Sequence, residues 1–149
     1  MTLEIIVLAV ALIFIGLVFV YTLISGSPPT PTSRRVRGVM LRILPRRLPL
    51  SEPKLIYELG SGWSGLAPYL SHFYPNHQVI GIERSPLPWL ISRLLAIFRR
   101  TENLSLYWGD FMQRDLSDAA LVVCYLAGRQ MEKLEQKLNA ELRAGALVL

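Results

Sequence analysis

The stretch Tyr57-Glu58-Leu59-Gly60-Ser61-Gly62-Trp63-Ser64-Gly65 decides how the rest of the chain is read. An apolar run ends in an acid and then in G-x-G. That pattern lets a strand turn sharply into a helix while backbone passes close to a bulky ligand. Gly60 and Gly62 permit positive φ and place no Cβ in the way. The helix start beyond them leaves free N–H groups aimed at the same place. Glu58 sets a carboxylate at the strand end. Taken alone the loop is ambiguous, because Gly60, Gly62 and Gly65 also fit G-x-G-x-x-G, a dinucleotide fingerprint.

On either side, short apolar runs alternate with helical stretches. KLIYEL (54–59) reads as a strand, residues 65–73 as a short helix, and Pro75-Asn76 as a turn. QVIGIE (78–83) is a second strand. Residues 86–98 carry apolar side chains at Leu87, Leu90, Ile91, Leu94, Leu95 and Phe98, a helical stripe. LSLYW (104–108) is a third strand, and ALVVCYL (120–126) a fourth, nearly all apolar, as a strand buried on both faces must be. Met131 to Leu142 has helical spacing at Met131, Leu134, Leu138 and Leu142, followed by Gly145 and a fifth strand, ALVL. This alternation predicts an α/β fold: a parallel sheet with helices on both faces and right-handed crossovers. A ligand then sits at the carboxyl ends of the strands. The chemically distinctive residues fall there: residues 58–62 after strand one, Glu83 after strand two, and Asp110 after strand three.

Glu83 lies about 20 residues beyond the glycine loop, where a carboxylate takes both hydroxyls of a ribose. That suits a dinucleotide and an adenosyl cofactor alike. A carboxylate at Glu58 would repel a pyrophosphate and disfavours the nicotinamide reading. Each acid also has a structural alternative. Glu58 can pair with a nearby arginine, Glu83 with Arg84 or Arg93, and Asp110 can be a turn residue after Gly109. The loop with its two further acids resembles the cofactor site of class I S-adenosylmethionine-dependent methyltransferases. That resemblance implies Glu58, Gly60, Ser61, Gly62, Glu83, Asp110 and Phe111 as cofactor-binding residues. Glu58 would serve the cationic amino-acid end of the cofactor, and Asp110 the adenine amino group. Phe111 would meet the adenine ring with its backbone N–H and its side chain.

The chain has 149 residues, 52% hydrophobic and 18% charged, which suits one folded domain and excludes a disordered chain. Its single cysteine, Cys124, rules out an internal disulfide or a cysteine-zinc cluster and reads as a buried strand thiol. The net charge of +5 is uneven. Seven of the sixteen basic residues lie between Arg34 and Lys54, where the only acid is Glu52. From Leu55 onward nine basic residues face nine acids, so the basic character is no sign of nucleic-acid binding. His72 and His77 read as surface loop histidines. Trp63 either covers the cofactor or packs, and Trp89 with Arg93 suggests core packing beside a salt bridge. There is no metal-ligand spacing and no Ser–His–Asp set.

The basic stretch follows an apolar one. IIVLAVALIFIGLVFVYTLI (5–24) has 20 residues without charge or proline, and Tyr21 suits an interface. As a helix it spans about 30 Å, the hydrocarbon thickness of a bilayer. A cleaved signal peptide is disfavoured by Glu4 and by the absence of N-terminal basic residues, and a buried core helix by the lack of a polar face. The expected division is a transmembrane helix over 1–24, a linker and basic amphipathic helix over 25–53, and the catalytic domain over 54–149. The arginines predict an N-terminus outside and a cytoplasmic domain, with a bacterial inner membrane the expected location. Pro28, Pro29 and Pro31 predict an extended linker. Val36 to Leu44 predicts a helix that rests on anionic headgroups or packs on the domain.

Several stretches together narrow the resemblance. They are the N-terminal span, Y-E-L-G-S-G, G-I-E-x-S-P-x-P-W-x-x-S-R (81–93), G-D-F-x-x-x-D-L-S (109–117) and V-V-C-Y-L-x-x-x-x-M-x-x-L-x-x-K-L-x-x-E-L-x-x-G-A (122–146). The chain is similar to membrane-anchored methyltransferases that include the mitochondrial protein-lysine methyltransferases of the adenine nucleotide translocase and the ATP synthase c subunit, and to their bacterial relatives. The resemblance implies S-adenosylmethionine as cofactor and N-methylation of a lysine on a membrane protein. It offers Tyr125, after strand four, as a substrate contact. N-P-P-Y is absent, which disfavours methylation of a base or a glutamine amide by that route. Family members continue past strand five with a helix and an antiparallel pair. This chain stops at Leu149, so the domain is expected to lack its last pieces and an inactive binding module stays open as an alternative.

Overall fold

The computed structural model describes residues 2–25, 32–48, 55–63, 65–99, 101–126 and 128–149. The chain divides into two compact units, residues 1–30 and 31–149. The first is one helix, α1 (Thr2–Ser25), with Glu4 as its acid and apolar side chains around the whole circumference. By length and composition it is sufficient to cross a membrane.

The second unit holds α2 (Arg34–Ile43), β1 (Leu55–Leu59), α3 (Ala67–Phe73), β2 (Val79–Glu83), α4 (Pro86–Phe98), β3 (Leu104–Trp108), β4 (Ala119–Cys124), α5 (Met131–Glu141) and β5 (Leu147–Val148). The strands form one sheet in the order β3-β2-β1-β4-β5, with every neighbouring pair parallel. The order reverses between β1 and β4, so the crevice at the carboxyl end of β1 is the switch point where such sheets bind ligands. β5 is shorter than its apolar run, and Leu149 extends the pairing by donating its N–H to Val122 O at 2.9 Å.

Alternation along the strands divides the interior in two. Ile56, Val79, Leu121 and Val123 meet α2 and α3 through Met40, Leu44, Leu66 and Leu70. Tyr57, Leu59, Ile80, Ile82 and Val122 meet Leu116, and Leu134 and Leu138 of α5, on the other face. The expected basic helix is therefore packed on the domain. Ser33 caps it by accepting from Val36 N–H at 3.3 Å, and the Tyr74 hydroxyl secures its end by donating to Pro45 O at 2.6 Å. Arg34, Arg35, Arg42, Arg46 and Arg47 stay exposed.

Two expectations need correction. The helix after the glycine loop begins at Ala67 rather than Gly65, because the Gly65 carbonyl accepts from the Arg37 guanidinium at 3.0 Å and the chain is still turning. The apolar stripe of α4 marks the helix but is not the face it buries. Pro88 and Ser92 point inward, while Leu90, Leu94, Ile97 and Phe98 are exposed.

Candidate cofactor site

Gly60 and Gly62 both take positive φ, 70° and 52°. The loop they form is latched to β2, since Gly60 N–H and Ser61 N–H both donate to Ile82 O at 2.9 and 3.0 Å. A Cβ on Gly60 would stand 2.6 Å from Leu126 Cδ2. A left-handed conformation costs a non-glycine residue about 1–2 kcal/mol. Gly60→Ala is therefore expected to destabilise the domain by about 2 kcal/mol, or more if Leu126 cannot yield. A lowered urea midpoint with an unchanged m-value checks this. Close approach also sets Gly81, where a Cβ would meet Ser61 Cβ and Oγ at 3.1 Å.

Glu83 is the hub. Its Oε2 accepts from Gly62 N–H at 2.7 Å and its Oε1 from Ser85 N–H at 2.7 Å. Its backbone carbonyl accepts from Gly109 N–H at 3.0 Å. The glycine loop and the start of α4 are thereby drawn to one buried carboxylate at the end of β2, and the turn after β3 to the backbone of the same residue. Each oxygen spends one lone pair on backbone and keeps another for a ligand hydroxyl. The alternative pairing of Glu83 with Arg84 or Arg93 is not what the structure contains.

Asp110 follows directly. Its Oδ1 accepts from Met112 N–H at 2.9 Å and caps a single 3₁₀ turn, Phe111–Gln113. Oδ2 makes no hydrogen bond among the described residues, so Asp110 is both the turn residue and an available acceptor. Phe111 differs from expectation. Its side chain is buried with Tyr57, Leu59 and Leu116 in the α5-side core.

Glu58 is buried and its Oε2 accepts from Ala67 N–H at 2.7 Å, at the first turn of α3. Burial pushes its carboxyl up to about 8; the N–H groups of Ala67 and Leu66 pull it down, and the nearby Glu83 charge pushes it further up. Among the described residues no arginine pairs with it. Ser61 is buried against Gly81. Tyr125 lies beyond β4, exposed at 64%.

The sequence reading missed Ser85 and Ser92. Ser92 is buried and its hydroxyl donates to Gly62 O at 2.9 Å, which ties α4 to the glycine loop. The only signal was a lone serine within a leucine-rich helix. Trp89 and Arg93 do meet, but through the ring face at 5.4 Å rather than a salt bridge. The Trp89 indole donates to Leu106 O at 3.0 Å. His77 is half-buried with Nδ1 enclosed and unpaired, and burial lowers its pKa. Cys124 is half-buried, and burial raises its thiol pKa. Among the described residues no group of three or more His, Cys, Asp and Glu is assembled.

The strand order, the left-handed glycine pair and the carboxylates on successive strand ends define a class I S-adenosylmethionine-dependent methyltransferase. Residues 58–149 match the family model described as the ANTKMT methyltransferase domain, and the chain belongs to that family. A protein-lysine N-methyltransferase of Saccharolobus islandicus is 27% identical over 125 residues, covering 82% of this chain and 74% of that protein. Among solved structures, an RNA methyltransferase from Salinibacter ruber in complex with S-adenosyl-L-homocysteine is similar with TM-score 0.68 and 26% identity, over 80% of this chain and 75% of that one. A precorrin-6y C5,15-methyltransferase from Geobacter metallireducens shares the fold with TM-score 0.63 and 21% identity, over 78% of this chain and 61% of that one. The cofactor is S-adenosylmethionine. The residues present fit it: a loop that turns on two left-handed glycines, a buried carboxylate with two unspent lone pairs, and a second acceptor at Asp110.

Proposed function

We propose that this protein methylates the side-chain amine of a lysine on a membrane-associated protein, held to the bilayer by α1 with its domain on the cytoplasmic side. The observation that carries the cofactor half of this reading is the convergence of Gly62, Ser85 and Gly109 on Glu83. The acceptor is drawn from the lysine-modifying relative, and the membrane from α1 and the arginines that follow it.

In this reading Glu83 takes the two ribose hydroxyls, Asp110 Oδ2 the adenine amino group, and Glu58 the cationic amino-acid end. The bound cofactor supplies an electrophilic methyl on a sulfonium. The residues position and desolvate: a lysine must reach the site neutral, and loss of water lowers its pKa. The amine lone pair forms the N–C bond as the S–C bond breaks, and the proton leaves to water. Tyr125 stands where an acceptor amine approaches. Anchoring concentrates enzyme and acceptor in one plane.

Titration calorimetry with S-adenosylhomocysteine and with NAD tests the cofactor; binding of the former alone is expected. Membranes incubated with the protein and methyl-labelled cofactor should yield labelled methyl-lysine on hydrolysis. Label recovered only in RNA or lipid would reject the lysine assignment.

A further inference from the structure

α4 is turned the wrong way for a helix of a water-soluble domain. Its leucine stripe faces outward, with Leu90 at 47% exposure, Leu94 at 48%, Ile97 at 64% and Phe98 at 83%. At 100° per residue these four lie on one side of the helix, with half-buried Leu87 among them and half-buried Ile91 along the edge. The inward side carries Pro88 and Ser92, because it closes on the glycine loop where Ser92 donates to Gly62 O.

The surroundings say what covers the stripe. Residues 86–99 contain Arg93 and Arg99, both exposed, and no acid. Tyr107 and Trp108 lie exposed on the neighbouring edge strand, with the Trp108 indole donating to Arg84 O at 2.9 Å. Leucine and phenylalanine rimmed by arginine and indole suit the headgroup boundary of an anionic bilayer. Glu102 is exposed beside Arg93, Ile97 and Trp108, but Arg84, Arg93 and Arg99 leave the rim net positive, as an anionic surface requires. The steps β1 to β2 and β2 to β3 run in one direction, so right-handed crossovers place α3 and α4 on the same sheet face, the face on which α2 packs. That side therefore also presents the five exposed arginines at 34, 35, 42, 46 and 47. The eight residues 26–33 between α1 and α2 can span no more than about 28 Å.

We infer that the exposed stripe of α4 docks in the headgroup layer of the anionic membrane that α1 anchors. This rests on the membrane-anchored reading above. It adds that α4 is a second membrane contact, one coupled to the site. Ser85 and Ser92 tie α4 to Glu83 and Gly62, so docking holds the cofactor loop at a set height over the bilayer. The enzyme then selects acceptor lysines at the membrane boundary over those far above it.

The test uses the full chain in vesicles of phosphatidylcholine and phosphatidylglycerol. In a Cys124→Ser background, Leu94→Cys, Phe98→Cys and, on the opposite sheet face, Glu135→Cys each carry a fluorescent label. Spin-labelled lipid is expected to quench positions 94 and 98 several-fold more than 135. Equal quenching at all three positions overturns the proposal. Shielding of 94 and 98 from aqueous iodide without lipid quenching overturns it too, because a protein then covers the stripe. Alkaline carbonate extraction reads α1 separately. Protein retained by the vesicles with 94 and 98 unquenched sinks the α4 contact alone. Extracted protein sinks the anchored reading and this proposal with it.

Discussion

Replacing Glu83 with alanine is expected to abolish useful cofactor binding, with affinity for S-adenosylhomocysteine falling about a hundredfold or more. In the proposed complex both ribose hydroxyls donate to this carboxylate. A hydrogen bond to a charged acceptor contributes about 1.5–3 kcal/mol, and two are lost together. The same substitution strips the half-buried N–H of Gly62 and the buried N–H of Ser85 of their partner, at up to about 1–3 kcal/mol each. The glycine loop then keeps only the Ser92 bond to α4, so the thermal midpoint falls as well. Glu83→Gln separates the two effects. Its amide oxygen still serves one N–H, but its NH2 opposes the other donor, so the fold recovers more than the affinity does. Calorimetry and thermal unfolding on the same samples read both. An alanine variant binding within about tenfold of the parent would remove Glu83 from the cofactor site.

Glu58 predicts a pH dependence with a definite sign. Unfolded, its carboxyl titrates near 4.5; folded, near 8. Between these values the native state holds a proton that the unfolded state has released. Stability therefore falls as pH rises through that window and levels off above it. Glu58→Gln carries no titrating group, keeps an acceptor oxygen for Ala67 N–H, and should lack this slope. Cofactor affinity runs the other way. If the cationic end of the cofactor lies beside Glu58, the ionised carboxylate is the form that binds. Affinity should then rise across the same window, with a proton released on binding that buffers of different ionisation enthalpy will report. Glu58→Gln should flatten both profiles. A parent protein whose stability does not decline across the window would contradict the buried, protonated carboxyl.

Much of the site was legible because the pieces are local. Gly60 and Gly62 needed only a strand, a turn and a helix to be recognised, and both are left-handed in the folded chain. Glu83 and Asp110 stood out because an acid at the end of an apolar run demands a reason. The service each performs was not legible. Asp110 was given two exclusive readings and the structure allows both, since a carboxylate has two oxygens and the 3₁₀ turn uses one. The Phe111 ring looked free for a ligand but fills the core, because Leu116 and the β1 side chains close over that side. Ser92 was passed over because its partner, the Gly62 carbonyl, lies 30 residues earlier in the chain.

The chain's own periodicities determined the order and type of its elements, the parallel sheet, the apolar span and the three strand ends where chemistry gathers. Period, backbone φ and turn chemistry are set by residues within one or two turns of each other, so they can be read along a line. Only the tertiary structure decided that α4 buries its serine and displays its leucines, that Glu83 joins three segments, that α2 seats on the sheet, and that Glu58 is driven toward protonation. Those outcomes depend on which distant residue fills the space opposite, and on how much water remains there.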